Sequence, residues 1–296
     1  MVAEVIGPAT SEQALWTAWA RVASGTRSTG IDGISPQQYA ACLARHLDAL
    51  ARDLREGSYQ AQPYRAMTVR RAGKQRVVHV PTVRDRVAQR AFLEVLTQPL
   101  DTHVADAAFA YRRGRSWLDA LRRAEHQRRQ GLSHVLRADI EAFFASVNCD
   151  RPDQRLSHLI ADERARGVIR QWLTVPSIER DGRSRVASGL PEGTPIAPLL
   201  ANVFLGSFDQ EMQDLDGTYL RYADDIAVFC EAQAQAVAAR VAVQRLLADL
   251  GLRLNANKTY VSTFDRGFSF LGWVFFRDGG YPTDGDKSHP YGRTTR

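Results

Sequence analysis

Two aspartates, Asp224 and Asp225, stand side by side inside TYLRYADDIAVFC, residues 218–230, a run that otherwise reads as strand. Tyr219, Leu220, Tyr222, Ile226, Val228 and Phe229 are residues that strands favour, and Asp is one that they avoid. A sheet would normally put Val or Ile in the middle of such a run. One reading is a hairpin whose turn is acidic, since Asp tolerates turn conformations. The usual two-residue turn signals, Asn-Gly and Asp-Gly, are missing, however. The other reading is that the hairpin presents two carboxylates to a hard divalent cation such as Mg2+, which prefers oxygen ligands. The run alone leaves both open.

The 296 residues suffice for two domains or one large α/β unit, and 44% hydrophobic residues against 24% charged supply a core. The longest charge-free segment, Gly193 to Phe208, has 16 residues and two prolines. A membrane span needs about 20 apolar residues, so no membrane partner is expected. The N-terminus lacks an apolar signal region, and Cys42, Cys149 and Cys230 are scattered. That usage fits a reduced, cytoplasmic protein. Basic residues outnumber acidic by 39 to 33, and all but Lys74, Lys258 and Lys287 are arginine. A GC-rich genome explains the arginine count equally well, but position adds information. Arg70, Arg71, Lys74 and Arg76 cluster, as do Arg84, Arg86 and Arg90, then Arg112, Arg113 and Arg115. Such clusters are the footprint of a polyanion, most often nucleic acid.

Apolar spacing predicts helices over 12–23, 36–54, 84–96 and 117–130, and two strands joined at Ala72 and Gly73. From residue 133 the order is strand, helix, loop and helix, acidic hairpin, helix, then a strand over 252–264. This order implies an α+β fold with helices on one face of an antiparallel sheet. The expected division is 1–132, 133–278 and a polar tail at 279–296, with the first two interleaved and their boundary approximate. Asp139 ends a short apolar strand, where a helix N-cap is its ordinary role. Three carboxylates at neighbouring strand ends form a ligand set for two cations in phosphoryl transfer.

The chain resembles a reverse transcriptase of the bacterial group II intron-like kind. YADD at 222–225 matches the family's metal-binding hairpin, and ADIEAFF its first catalytic motif. GLPEGTPIAPLLAN, LNANKT and FLGW resemble three further motifs in order, the last being the primer grip. AWARVASGTRSTGIDGIS, RVVHVPTVRDRVAQRAFLEVL and AFAYRRGRSW follow the subgroup's N-terminal and finger motifs. The likeness runs from about residue 12 to 275.

The resemblance implies right-hand polymerase fingers and a ferredoxin-like palm. It also implies an RNA-directed DNA polymerase that extends a primer 3′-hydroxyl with dNTPs. Asp139, Asp224, Asp225 and the Ile140 carbonyl would hold two Mg2+ ions, with Mn2+ as a substitute. Phe144 would exclude a 2′-hydroxyl; Arg70 and Arg76 would hold the triphosphate beside Glu192 and Gly193. Lys258 would protonate pyrophosphate, and Phe270, Leu271 and Gly272 would form the primer grip. RNA template and a DNA or RNA primer are the implied partners. Glu192 departs from the family's usual glutamine. No thumb motif follows the primer grip, so a second protein or a structured RNA is an expected substitute. The alternatives are the same core in antiviral defence or CRISPR adaptation, making DNA without a template or from a protein primer, and a non-enzymatic RNA-binding maturase-like protein.

Overall fold

The structure, a computed structural model, describes residues 1–71, 74–186, 188–215 and 217–283. The first elements are α1 (Ile6–Ala9), α2 (Glu12–Ala23), α3 (Pro36–Ala40), α4 (Leu43–Glu56), β1 (Tyr64–Arg71), β2 (Lys74–Val80) and α5 (Val83–Asp101). Next come α6 (Trp117–Arg129), β3 (His134–Asp139), α7 (Phe143–Ser146), α8 (Asp150–Leu159), α9 (Glu163–Thr174), β4 (Pro176–Ile178) and β5 (Ser184–Val186). The last are α10 (Ala197–Gln213), β6 (Thr218–Tyr222), β7 (Asp225–Cys230), α11 (Gln233–Asp249), β8 (Tyr260–Thr263), β9 (Phe268–Phe270), β10 (Trp273–Phe275) and β11 (Gly280–Pro282). No helix among the described residues is long and apolar enough to cross a membrane.

Two compact units form: Met1–His103 with Phe144–Phe204, and Val104–Phe143 with Leu205–Arg296. The units interleave along the chain: residues 104–132 join the second unit and 144–204 return to the first. Within the segment expected as a polar tail, β11 pairs with β10 through Tyr281 opposite Val274. Ala72, Gly73 and residues 284–296 lie outside the described residues.

In the first unit, α2 starts at Ser11, whose side chain accepts from the Ala14 amide, and it packs Leu15, Trp19 and Val22 inward. The helix expected over 36–54 is broken at Cys42, which has φ −130° and ψ 42°. The His46 ring Nδ1 bonds the Tyr39 carbonyl at 2.9 Å, satisfying a group that the break leaves without its helical partner. β1 and β2 form an antiparallel ribbon from Arg65 opposite Val80 to Arg71 opposite Lys74. β4 extends it in parallel and β5 antiparallel, giving the order β2-β1-β4-β5.

The second unit holds an antiparallel sheet in the order β6-β7-β3-β8. α11 packs across β3, β7 and β8. Strand alternation sends Val135, Leu220, Ala227 and Phe229 into one core with Ala120, Leu121 and Ala124 of α6. Phe264, Phe268, Phe270 and Phe275 complete that core from the β9–β10 side. The strand expected over 252–264 is short: only Tyr260–Thr263 pairs regularly, and Leu254 makes one isolated bridge to Ile140.

On the opposite face, Tyr219 and Arg221 reach Asp209 of α10. The Tyr219 hydroxyl donates to Asp209 Oδ1 at 2.7 Å, and Arg221 grips the carboxylate with Nε at 2.7 Å and a terminal nitrogen at 2.5 Å. Burial opposes the Arg221 charge, but the Asp209 carboxylate outweighs it and raises the guanidinium pKa. Removing one partner of such a pair strands a buried charge and costs about 3–5 kcal/mol. Asp209→Ala is therefore expected to destabilise the protein by about that much in urea titrations. The double replacement Asp209→Leu with Arg221→Met should be less destabilised than Asp209→Ala alone.

Candidate active site

The β3–β7 register sets Asp139 directly opposite Asp225. Both are buried, at 3% and 8% exposure, on the face that carries Val135 and Phe229. Tyr222 opposite Asp225 closes a two-residue loop of Ala223 and Asp224, and the Ile140 amide donates to the Asp224 carbonyl at 3.1 Å. An acidic turn accounts for Asp224. It does not account for Asp225, a strand residue buried against a second carboxylate. Ala223 has φ 56°, where a hairpin turn favours glycine. Arg221 donates to its carbonyl at 3.1 Å and so holds the loop from below.

Each buried carboxylate is met by a cation. Lys258 Nζ lies 2.6 Å from Asp139 Oδ2, while the Asn255 side-chain amide donates to Oδ1 at 3.2 Å. The Asn255 backbone amide also donates to the Asp139 carbonyl at 2.8 Å. Arg137 donates to Asp225 Oδ1. Among the described residues, no three His, Cys, Asp or Glu side chains converge closely enough to hold a metal ion as they stand. The donor chemistry nonetheless fits a hard cation: three carboxylates, two of them buried, in a setting that already attracts ammonium and guanidinium. Asp224 reports the crowding, because burial first, then Asp225 and Asp139, push its pKa from 3.8 up to about 6, with Lys258 opposing.

Of the nucleotide-binding candidates, all but Lys258 belong to the first unit. Arg70 stands opposite Gln75 and Arg76 opposite Val69, so pleating puts the two arginines on opposite faces of the ribbon. Arg76 donates to Glu192 Oε1 at 3.3 Å, which gives the unexpected carboxylate a partner. The Glu192 carbonyl accepts from the His79 amide at 2.7 Å. Gly193 has φ 100°, and a Cβ there would meet the His79 carbonyl at 3.1 Å. Phe144 is half-buried and its carbonyl accepts from the Leu190 amide at 2.8 Å. A side chain at Gly189 would collide with that same carbonyl at 2.1 Å, so the loop needs glycine there.

Phe270, Leu271 and Gly272 form the turn between β9 and β10. Leu271 at φ 51° and Gly272 at φ 78° give both loop residues the positive φ of a type I′ turn. The Phe270 and Leu271 side chains are buried, at 1% and 3% exposure, so the turn offers its backbone rather than these side chains to a ligand. Sequence reading passed over Asn255 and Arg137. Arg137 is the lone basic residue inside VLRAD, two residues before Asp139 and hence on the same strand face.

Residues 65–275 match the family described as reverse transcriptase (RNA-dependent DNA polymerase). The chain belongs to that family. It is 29% identical over 295 residues to protein YkfC of Escherichia coli (strain K12), covering 86% of this chain and 77% of that one. It is 25% identical over 163 residues to the group II intron-encoded protein LtrA of Lactococcus lactis subsp. cremoris, covering 54% of this chain and 27% of LtrA. These likenesses bear out the group II intron-like affiliation. A solved partial Cas6-RT-Cas1–Cas2 complex superposes with a TM-score of 0.50 at 27% identity, covering 83% of this chain and 41% of that one. The fingers and palm of a polymerase are thus the architecture of this reverse transcriptase domain.

The raised Asp224 pKa fixes a sign for stability. A carboxyl pKa raised on folding leaves the metal-free protein penalised as pH rises from 3.8 to about 6, and fully so above. In chelator, Asp224→Asn should therefore be more stable than the parent at pH 7.5 and gain nothing at pH 3.5. Thermal melts at the two pH values check this.

Proposed function

We propose that the chain extends a primer 3′-hydroxyl with dNTPs on an RNA template, using two divalent ions held by Asp139, Asp224, Asp225 and the Ile140 carbonyl. The observation that carries this is the register pairing of Asp139 with Asp225, with Asp224 on the adjoining turn. Bound there, Mg2+ or Mn2+ would lower the pKa of the attacking hydroxyl and neutralise charge on the departing pyrophosphate. The β3–β7 register sets Asp139 against Asp225, and Lys258 and Arg137 bond their carboxylates. Lys258 carries protons beside Asp139 on a half-exposed stem, and we assign it protonation of the leaving group. Arg76 is the guanidinium we assign to the triphosphate, in exchange for Glu192. Phe144, five residues after Asp139, is assigned to packing under the sugar.

One specific observation supports a second reading of the setting. Over 83% of its length the chain is 27% identical to a chain of the solved partial Cas6-RT-Cas1–Cas2 complex. Synthesis within a CRISPR-adaptation assembly is the corresponding role, and sequencing products made on a defined RNA template tells templated from untemplated synthesis.

Asp139→Ala or Asp224→Asn should lower primer extension by about 10³-fold or more, as the loss of several kcal/mol of charge stabilisation requires. Circular dichroism and RNA binding should stay near those of the parent. Extension at parental rates by either variant would exclude the assignment. Phe144→Ala should narrow the preference for a dNTP over its ribonucleotide about tenfold or more, read by single-nucleotide incorporation. An unchanged ratio would make Phe144 packing alone.

A further inference from the structure

Arg137 does more than neutralise a carboxylate. It is 7% exposed, and its donors are divided among four acceptors on three strands. A terminal nitrogen donates to Asp225 Oδ1, the first residue of β7. The other donates to the Ala138 carbonyl and, at 3.1 Å, to the Ile226 carbonyl. Nε donates at 2.9 Å to the carbonyl of Ser269 in β9. The guanidinium carbon also lies 5.3 Å from the centroid of the Phe270 ring, within cation–π range.

β9 and β10 belong to a different sheet from β3 and β7, so no ladder hydrogen bonds join the two. The polar ties that reach Ser269 come from side chains: Arg137 to its carbonyl, and the Tyr260 hydroxyl to its amide at 3.2 Å. Arg137 alone of the two also touches a catalytic carboxylate. A planar guanidinium suits this, because its donors hold a fixed fork and one acceptor's direction dictates the others'. Rotating the Asp225 carboxylate therefore strains the bond to Ser269, and shifting the β9–β10 turn strains the bond to Asp225.

We propose that Arg137 is a positioning residue that sets Asp225 and the β9–β10 turn against one another, so that a change at either is felt at the other. It rests on the polymerase reading for its kinetic consequence and on geometry alone for its structural one. Such a coupling is reciprocal, and a cycle of substitutions isolates it.

The first test needs no activity. Amide hydrogen exchange over residues 268–275 is measured in chelator for the parent, Arg137→Lys, Asp225→Asn and the double variant. Asp225→Asn should speed exchange in this segment about tenfold although it lies in another sheet, as loss of a charge-assisted bond implies. Arg137→Lys should do the same, since one ammonium cannot span both acceptors, and the double variant should add nothing further. Unchanged exchange in Asp225→Asn, or fully additive effects, would overturn the proposal.

The second test is kinetic. Phe270→Leu keeps the apolar packing and removes only the ring beside Arg137, so it remains informative if Arg137→Lys fails to fold. Both variants should raise KM for primer–template about tenfold while KM for dNTP moves less than twofold. Equal rises in both constants, or full rescue by lysine, would reduce Arg137 to a counter-charge and refute the coupling. A parent protein with no extension activity would instead refute the polymerase reading and leave the exchange experiment to decide.

Discussion

Two carboxylates facing each other across a sheet repel, and much of the second unit is arranged around that repulsion. Asp139 and Asp225 lie directly opposite in register and are almost wholly buried. Lys258 and Arg137 offset the repulsion by supplying one cation to each. The third carboxylate, Asp224, makes no ion pair among the described residues, and burial together with its two neighbours raises its pKa. Two protein cations thus offset two of the three carboxylates.

Backbone strain gathers in the same unit. The non-glycine residues with positive φ among those described are Tyr111, Ala142, Ala223 and Leu271. Ala142 follows β3, Ala223 begins the acidic turn, and Leu271 begins the β9–β10 turn. Conformations of this kind cost of order 1–3 kcal/mol each and persist where surroundings over-determine them. At Ala223 the surroundings are visible: the buried Arg221, itself fixed by Asp209, bonds the loop carbonyl.

Long periodic segments of this chain were legible from sequence. The helices at 12–23 and 117–129 and the strand ending at Asp139 stand where apolar spacing predicts them. Both hairpin turns were located by motif and not by turn chemistry, since Ala-Asp and Leu-Gly replace the Asn-Gly or Asp-Gly that a local reading seeks. The break at Cys42 escaped because the apolar stripe of 36–54 continues across it, and the His46 ring one turn later takes up the Tyr39 carbonyl. Arg70 and Arg76 look equivalent in a linear string, yet a register of one residue separates them to opposite faces. Arg137 was overlooked for a related reason. Its acceptors come from β7 and β9, which lie 88 and 132 residues away in sequence.

The ion pair between Arg76 and Glu192 has a consequence for the first unit's response to salt. Both side chains are substantially open to solvent, at 52% and 33% exposure, so the pair is worth only about 0–1 kcal/mol. Salt screens exposed pairs of this kind, so raised ionic strength frees the guanidinium. The backbone bond from the His79 amide to the Glu192 carbonyl, at 2.7 Å, escapes that screening and keeps the loop against β2 when the side chains part.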